Sequence, residues 1–496
     1  MFSRKKKFLA NTIAGVLKQI ITVLCGFILP RYMLVYYGSE VNGLISSITH
    51  FLCLISFLDM GVGAVIQANL YKPLAERNIY KISQIVKASE VFFRKLGCIF
   101  IVYIIVLCFI FPYIVNFDSF YTVSLVIILS VSTIAQYLFG MTYQLLLSAD
   151  QKSYIVLILQ TITILLNTYI AVVLMRLGAP VHVVKILSVI IFFIRPVFQM
   201  IYVHRCYKLD RKKTIVEEPI KQKWNGFSQH FAAIVCQNID VAVLTFFSTM
   251  KNVSVYSVYY MVTNGVQLII MTAATGLESL FGNMIAKNEN ERLLKLFNII
   301  EWVVHNCVTI IFSVTAITIV PFISIYTNSI SDADYFVPVF AIVLVSAYAI
   351  QCLRMPYFRV IKAAGHFKQT QNGAYISALL NIFITMLLVF KFGLIGAATG
   401  TFIAMLYHTC YFVWYLRNNI IYRNILIFIK YLLTDAVIAV TVFFLAKNIY
   451  MDSLTYLSWI IFAIKVSSLV FLVSFLINLL LYRKYLIQIL SYVKGI

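Results

Sequence analysis

Residues 141–154 read MTYQLLLSADQKSY, and residues 355–368 read MPYFRVIKAAGHFK. Both stretches begin with Met-x-Tyr and continue through a small residue to a lysine, and the second starts 214 positions after the first. Two further matches fall in the same register. LLNTYIAVVLMRLGAP (165–180) aligns with LLNIFITMLLVFKFGLIG (379–396), and the charged stretch 76–95 aligns with 289–295. Three matches in one register indicate an internal repeat.

The composition of the chain requires a lipid environment. Of its 496 residues, 62% are hydrophobic and only 12% are charged, and the mean hydropathy is +0.92. A soluble protein carries about 25% charged residues. The 40 Lys and Arg outnumber the 18 Asp and Glu, but these bases lie in short segments between apolar runs. Such a pattern indicates membrane topology rather than binding to nucleic acid.

The apolar runs have the length of membrane-spanning helices. A helix needs roughly 20 apolar residues to cross a hydrocarbon core of about 30 Å. Polar, Gly and Pro breaks divide the chain into fourteen such runs, which predicts an all-α polytopic membrane protein with about 14 transmembrane helices. The predicted spans are 9–36, 41–70, 91–115, 120–147, 154–176, 181–204, 225–249, 253–284, 296–326, 335–361, 372–391, 394–416, 425–447 and 454–482.

The distribution of Lys and Arg predicts the orientation. If the N-terminus is cytoplasmic and the spans alternate, thirty bases fall in cytoplasmic segments, six in external segments and four inside spans. Cytoplasmic loops of membrane proteins carry such an excess of Lys and Arg. We therefore expect a multi-pass protein with both termini in the cytoplasm.

The repeat and the span count together predict the domains. Six spans per copy is an even number, so both copies enter the membrane in the same direction, as a parallel repeat of two lobes around a central cleft. This layout is typical of alternating-access transporters. The predicted parts are an N-terminal six-helix lobe (1–212), a basic cytoplasmic linker (213–224), a C-terminal six-helix lobe (225–418), an extra helix pair (424–484) and a cytoplasmic tail (485–496).

Two segments resemble polysaccharide-export flippases. The first, YYGSEVNGLISSITHFLCLISFLDMGVGAVI (36–66), contains Gly-x-x-x-x-Gly-Leu and then Asp-x-Gly-x-Gly, as in the second helices of that family. The second, CQNIDVAVLTFFSTMKNVSVYSVYYMV (236–262), has Asn-x-Asp and then Val-x-x-Tyr-Ser, as in the seventh helix and its turn. The chain thus resembles the multidrug/oligosaccharidyl-lipid/polysaccharide (MOP) exporter superfamily, in its Wzx-type polysaccharide branch.

The resemblance implies a fold, a substrate and a location. The implied fold is MATE-like, with two six-helix lobes, in the bacterial inner membrane. The implied activity is transport, not catalysis: undecaprenyl-pyrophosphate-linked repeat units for O-antigen or capsule are flipped from the inner to the outer leaflet. We expect a monomer in the lipid bilayer that acts with a polysaccharide polymerase and a chain-length regulator. No nucleic acid and no cofactor are expected, and coupling to H⁺ or Na⁺ is left open.

Cations inside the predicted spans are candidates for binding the head group. A charge at bilayer depth costs at least roughly 2.5–3.5 kcal/mol, so it normally faces protein or a watered cavity. A pyrophosphate needs cations, and Lys18, Arg31 and Arg195 are the candidates. The alternatives are ordinary ion pairs, Lys18 with Asp59 or Arg195 with Glu278, and an interfacial anchor in the case of Arg31.

Carboxylates inside the predicted spans are gate or coupling candidates: Asp59, Asp240 and Glu278. Asp59 lies toward the cytoplasmic end of the second span. The glycines that follow, Gly61 and Gly63, permit a bend or a close helix approach. This arrangement favours a gate or hinge element tied to a neighbouring base, with ion coupling as the alternative.

Four further charges lie in predicted spans. Glu301 and Arg354 are close to the inner interface, where we expect both side chains to snorkel toward water. Asp435 and Lys465 belong to the extra helix pair, and either pair with each other or take part in transport.

Other functions fit the sequence less well. It has no Walker A motif and no C-x-x-C pair, so neither an ATPase nor a Cys metal site is predicted. A cation-coupled MATE-type drug exporter would be expected to have twelve spans and an acidic cleft, and a lipid II flippase several cleft arginines. A membrane glycan polymerase or ligase would need a large external loop, whereas the longest one predicted here is about 327–334.

Overall fold

The computed structural model describes residues 4–58, 60–207, 209, 227–274, 276–483 and 485, and over these residues it contains helices and turns but no strand. Each of the fourteen predicted spans corresponds to one or two helices. Within the described ranges, eleven helices are long and apolar enough to cross a membrane. The prediction of an all-α, multi-pass membrane protein is therefore confirmed. The predicted linker, 213–224, lies outside the described residues.

The chain forms two compact units, Met1–Ser254 and Val255–Ile496. The helices that begin in the first unit are α1 (Arg4–Leu54), α2 (Met60–Ala75), α3 (Ile79–Ile114), α4 (Ser119–Ala135), α5 (Met141–Ala149), α6 (Ser153–Arg176), α7 (Val181–Cys206), α8 (Phe227–Phe247) and α9 (Met250–Ala273). α1 covers the first predicted span and the beginning of the second, and it bends at Gly38, where a φ of 79° suits glycine. It packs against α6 and α8, while α4 packs against α3 and α7.

The second unit contains most of α9 and all later helices. They are α10 (Leu277–Ala286), α11 (Asn290–Tyr326), α12 (Pro338–Leu353), α13 (Met355–Ala363), α14 (Gln371–Phe392), α15 (Leu394–Asn419), α16 (Leu426–Ala446) and α17 (Tyr456–Leu481). α14 and α15 form a tight hairpin, which turns at Gly393 with a φ of 51°. The last two helices pack on each other and on α11.

The internal repeat is visible in the way four predicted spans are broken. A 3₁₀ turn, Ile55–Leu58, lies between α1 and α2, and turn residues Ala274 and Gly276 lie between α9 and α10. A π-helical turn, Gln136–Gly140, separates α4 from α5, and Arg354 separates α12 from α13. The repeated stretches are α5 and α13, each of which starts at the repeated methionine. α5 packs on α2 in the first unit, and α13 packs on α10 in the second.

Candidate functional site

Lys18 is a half-buried cation on α1. Its neighbours along the helix, Leu17 and Ile20, are exposed apolar side chains. Over the part of the chain that the structure describes, no hydrogen bond or salt bridge reaches its ammonium group. Asp59, the carboxylate that the sequence offered as its partner, lies outside the described residues. The geometry therefore presents Lys18 as a charge on an apolar helix surface.

Arg195 is held by neutral groups of α6. Its Nε donates to Thr163 Oγ1 at 2.5 Å, its Nη2 donates to the Gln160 carbonyl at 3.4 Å, and the guanidinium lies 4.5 Å from the centre of the Phe192 ring. Glu278 pairs instead with two bases of α13, Arg359 at 3.2 Å and Lys362 at 2.9 Å. Within the first unit the Arg195 charge therefore faces neutral partners, and within the second unit the Glu278 carboxylate faces two cations.

Arg31 is half-buried near the bend of α1, beside an aromatic cluster. Arg176 donates to the Tyr32 hydroxyl at 2.6 Å, and Tyr32 stacks on Tyr36 with ring centres 6.1 Å apart. The Tyr37 hydroxyl donates to the Ala179 carbonyl at 2.6 Å. These contacts fasten the bend of α1 to the turn between α6 and α7.

A hydrogen-bonded seam joins the second half of α1 to α8 and the start of α9, inside the first unit. Asn42 donates to Ser254 Oγ at 2.8 Å, Ser47 meets Thr245 Oγ1 at 2.6 Å, and His50 Nδ1 meets Asn238 Oδ1 at 2.8 Å (together, the α1–α8 seam). Thr245 donates to the Val241 carbonyl, so the Ser47 hydroxyl must be the donor to Thr245. Polar pairs of this kind between membrane helices contribute about 0.6 kcal/mol each on average.

Gly43 sets the closest approach in the α1–α8 seam. A Cβ at this position would lie 1.9 Å from the Met250 carbonyl oxygen, which only glycine avoids. This is the second glycine of the Gly-x-x-x-x-Gly-Leu pattern, so the sequence signal marks a helix contact. Asp240, two residues after Asn238 in α8, is 2% exposed and therefore lies in protein rather than lipid.

A second polar cluster in the first unit surrounds Asp150, in the turn between α5 and α6. The Asp150 carboxylate binds Lys152 at 2.7 Å and Lys7 at 3.4 Å, and accepts a hydrogen bond from the Tyr207 hydroxyl. Burial raises the pKa of Asp150, but the hydrogen bonds from Lys152 and Tyr207 and the nearby positive charges outweigh it and hold the pKa below its usual value. Burial, and next Asp150, raise the pKa of Tyr207. The Asp150 cluster thus ties α1, the α5–α6 turn and the end of α7 together.

The repeated Met-x-Tyr stretches carry equivalent hydrogen bonds. In the first unit the Tyr143 hydroxyl of α5 donates to Glu90 of α3 at 2.8 Å. In the second unit the Tyr357 hydroxyl of α13 donates to Glu301 of α11. The sequence repeat therefore preserves a tyrosine–glutamate contact as well as helix lengths.

Glu301 differs from Glu90 because it has a cationic partner. Arg423, in the turn before α16, binds Glu301 Oε2 at 2.5 Å, and the two side chains are 7% and 0% exposed. We expected Glu301 to snorkel toward water, and this expectation is wrong. Tyr357 and Arg423 together satisfy the carboxylate, so it can remain fully buried.

Three more polar contacts lie in the second unit. His305 Nδ1 binds Asp435 at 2.5 Å and Thr309 donates to the same carboxylate at 2.7 Å, so Asp435 pairs with α11 rather than with Lys465. Arg354 Nη1 lies 2.6 Å from His408 Nδ1, so its guanidinium is held in protein instead of snorkelling.

Over the described ranges, no three His, Cys, Asp or Glu side chains are placed to hold a metal ion.

Comparisons with known proteins identify the fold. No family model and no curated protein match the sequence. The solved structure of lipid II flippase MurJ in its inward closed conformation matches 96% of this chain and 100% of its own, at a TM-score of 0.68 and 16% identity. The chain has the fold of a MOP-type transporter. A MATE multidrug resistance transporter of the MOP superfamily matches 80% of this chain and 93% of its own in the inward-facing state (TM-score 0.58, 12% identity). The structure of a MATE family transporter in an outward-facing conformation matches 83% of this chain and 94% of its own (TM-score 0.54, 16% identity).

Several polar residues of this MOP-type fold could not be selected from the sequence. The partners of Glu90, Arg423 and His305 are distant in the sequence, so hydropathy does not indicate these contacts. The one usable signal was the repeated Met-x-Tyr, since both of its tyrosines bind glutamates. Of the candidate residues from the sequence, Arg195 is bound by groups of α6 and Glu278 by bases of α13, and Asp59 lies outside the described residues.

Proposed function

We propose that this chain is a flippase of the Wzx-type polysaccharide branch. It moves undecaprenyl-pyrophosphate-linked oligosaccharide repeat units from the inner to the outer leaflet of the bacterial inner membrane by alternating access. The observation that carries the proposal is the extent of the structural match. The lipid II flippase covers 96% of this chain, whereas the two drug-transporter structures cover 80% and 83%. A flippase for a lipid-linked sugar thus accounts for more of the chain than a drug exporter does.

The cations of the first unit support an anionic cargo. Lys18 has no salt bridge over the described part of the chain, and Arg195 is bound by a hydroxyl and a carbonyl, so neither charge is neutralised there by a carboxylate. We assign both to the pyrophosphate, Lys18 as a point charge and Arg195 as a planar fork. Arg31, near the bend of α1, is assigned to a later contact on the exit path.

The three carboxylate candidates serve as gate elements in this proposal. Glu278 is bound by Arg359 and Lys362, a latch between α10 and α13 that a passing anion could loosen by competing for the two cations. Asp240 is a buried side chain of α8, and Asp59 lies outside the described residues. Coupling to H⁺ or Na⁺ is not required, because moving negative charge outward releases about 2.3 kcal/mol per charge per 100 mV in a cell that is negative inside.

The proposal is tested by reconstitution. The purified protein in liposomes should move a fluorescent undecaprenyl-pyrophosphate oligosaccharide between leaflets, at a rate that depends on an imposed potassium-diffusion potential. Lys18→Gln should abolish this movement with insertion and melting temperature unchanged. Lys465→Gln is the matched control, because Lys465 is an exposed lysine of α17. If Lys18→Gln retains transport, the head-group assignment is wrong.

Lipid II is the second candidate substrate, since the lipid II flippase structure aligns over its entire length. The same liposomes distinguish the two. Preferential movement of lipid II would replace the polysaccharide assignment while keeping the flippase. Proton- or sodium-driven movement of a cationic drug, with neither lipid transported, would overturn both. In cells, the repeat-unit flippase would supply an outer-leaflet polysaccharide polymerase and its chain-length regulator.

A further inference from the structure

A basic cavity lies at the turn between α15 and α16 in the second unit. Its volume is about 700 Å³, and it is open to the surface. Among the residues that the structure describes, the lining side chains are polar and include two guanidinium groups but no carboxylate. They are Arg417, Asn418, Tyr422, Arg423 and Asn424.

Arg423 is the residue that marks this cavity as a ligand site. Its Nη1 binds Glu301 at 2.5 Å, and the side chain is only 7% exposed. Its Nη2 is buried and has no hydrogen-bond acceptor in the described part of the protein. A buried N–H of a charged group without an acceptor is costly, so a shift of the Arg423 side chain that brings Nη2 to a ligand acceptor in the cavity would relieve this cost. Arg417 is exposed on the same cavity and adds a second positive charge.

The backbone adds to the attraction for an anion. The cavity adjoins the first turn of α16, and the N-terminus of a helix favours negative charge through its unpaired N–H groups and its dipole. Asn424 accepts from two of these groups: the Leu426 N–H donates to its Oδ1 at 2.9 Å, and the Ile427 N–H donates to its carbonyl at 3.3 Å. Two arginines therefore line one concave surface, and the first turn of α16 follows the last lining residue in the chain.

The surroundings of the cavity favour a lipid as the source of the anion. Leu426, Ile429 and Leu433 are exposed and follow one face of α16 away from the cavity, at the spacing of successive helical turns. Tyr422, at the rim, is 81% exposed, as aromatic residues at the boundary between lipid and water commonly are. A phosphate in the cavity would thus have an apolar surface directly beside it for an acyl chain.

We propose that the α15–α16 cavity binds the phosphate of an anionic phospholipid, with Arg417 and Arg423 on the phosphate and an acyl chain along α16. Because Arg423 also binds Glu301, an occupied site would hold the turn before α16 against α11. Lipid binding should therefore stabilise the packing of the last two helices, whatever cargo the protein carries.

Binding can be measured on the full-length purified protein by native mass spectrometry and by thermal unfolding in detergent. Phosphatidylglycerol should bind and raise the melting temperature, and phosphatidylcholine should not. Arg417→Gln should weaken binding about five-fold, since one base near a lipid surface contributes about 1 kcal/mol. Arg423→Lys keeps a positive charge beside Glu301 but removes the second guanidinium nitrogen, and should weaken binding at least about ten-fold.

Arg292→Gln is the matched control, because Arg292 is a surface arginine of α11 that pairs with Glu289. It should bind phosphatidylglycerol like the unaltered protein. Equal weakening by Arg292→Gln would show that surface charge alone attracts the lipid and would overturn the site. So would equal binding of phosphatidylcholine. Glycerol phosphate that binds as tightly as the lipid would assign the cavity to a soluble phosphate and overturn the lipid assignment.

Discussion

The buried pair of Glu301 and Arg423 offers the sharpest test of the structure. Glu301→Gln preserves the shape of the side chain but leaves the Arg423 charge, only 7% exposed, without its counter-ion. Removing one partner of a buried ion pair costs about 3–5 kcal/mol, because the remaining charge is uncompensated. We expect a loss of this size in the free energy of unfolding.

A double-mutant cycle separates the pair from its surroundings. Glu301→Gln, Arg423→Gln and the double variant would be unfolded in mixed micelles of dodecylmaltoside and dodecyl sulfate, and their free energies compared. The double variant contains two neutral amides and no unpaired charge, so it should be more stable than either single variant. Replacing both members of a buried pair is often close to neutral.

The internal repeat supplies the control for this cycle. Glu90 accepts the equivalent tyrosine hydrogen bond, from Tyr143 at 2.8 Å, but it is half-buried and no salt bridge to it occurs over the described ranges. Glu90→Gln should therefore cost only about 1 kcal/mol. If Glu301→Gln costs no more than Glu90→Gln, or if the two single losses simply add in the double variant, the buried-pair reasoning is refuted.

Three further changes probe other contacts. Gly43→Ala forces a Cβ to within 1.9 Å of the Met250 carbonyl oxygen and should cost about 1–3 kcal/mol of stability by overpacking. Gly15→Ala is the control and should be tolerated, because there is open space around Gly15. Equal melting temperatures of the two variants would contradict the close contact at the α1–α8 seam. Asp150→Asn should destabilise the protein at pH 7, and the loss should shrink as the pH falls below the unfolded value of about 3.9 and through the depressed pKa of Asp150, because protonation removes the stability that the carboxylate contributes. A pH-independent difference would contradict this. Asp435→Asn should increase hydrogen exchange in α16, and unchanged exchange there would refute its role in tying α16 to α11.

The spans, the repeat and the multi-pass topology could be predicted because they depend on local properties of the sequence. Twenty apolar residues make a span whatever surrounds them. The repeat could be predicted because the Met-x-Tyr pattern recurs in the sequence. In the structure, Met141 and Met355 both begin helices of nine residues that follow a break. Gly178 and Gly393 could likewise be recognised as turn glycines, and both have a positive φ.

The partners of the buried charges could not be predicted, because they depend on contacts between distant residues. Glu301 and Arg423 are 122 residues apart, and His305 and Asp435 are 130 apart. From hydropathy alone, a carboxylate near a span end is expected to reach for water. It remains buried only where the fold supplies a cation and a hydroxyl, and a single sequence does not encode that pairing in any local pattern.

The two copies of the repeat diverge at one face of α11, and this divergence explains why the last helix pair belongs to the second unit. Glu301, His305 and Thr309 lie one turn apart on α11 and bind Arg423 or Asp435. Trp302, on the adjoining face, donates to Asn478 of α17 at 3.1 Å. In the first copy, Glu90 of α3 is half-buried and accepts a hydrogen bond from Tyr143, and no salt bridge to it occurs among the described residues. The polar residues of α11 therefore require α16, α17 and the turn before them as partners, so the two helices are an integral part of the second unit rather than an appendage to a twelve-helix transporter.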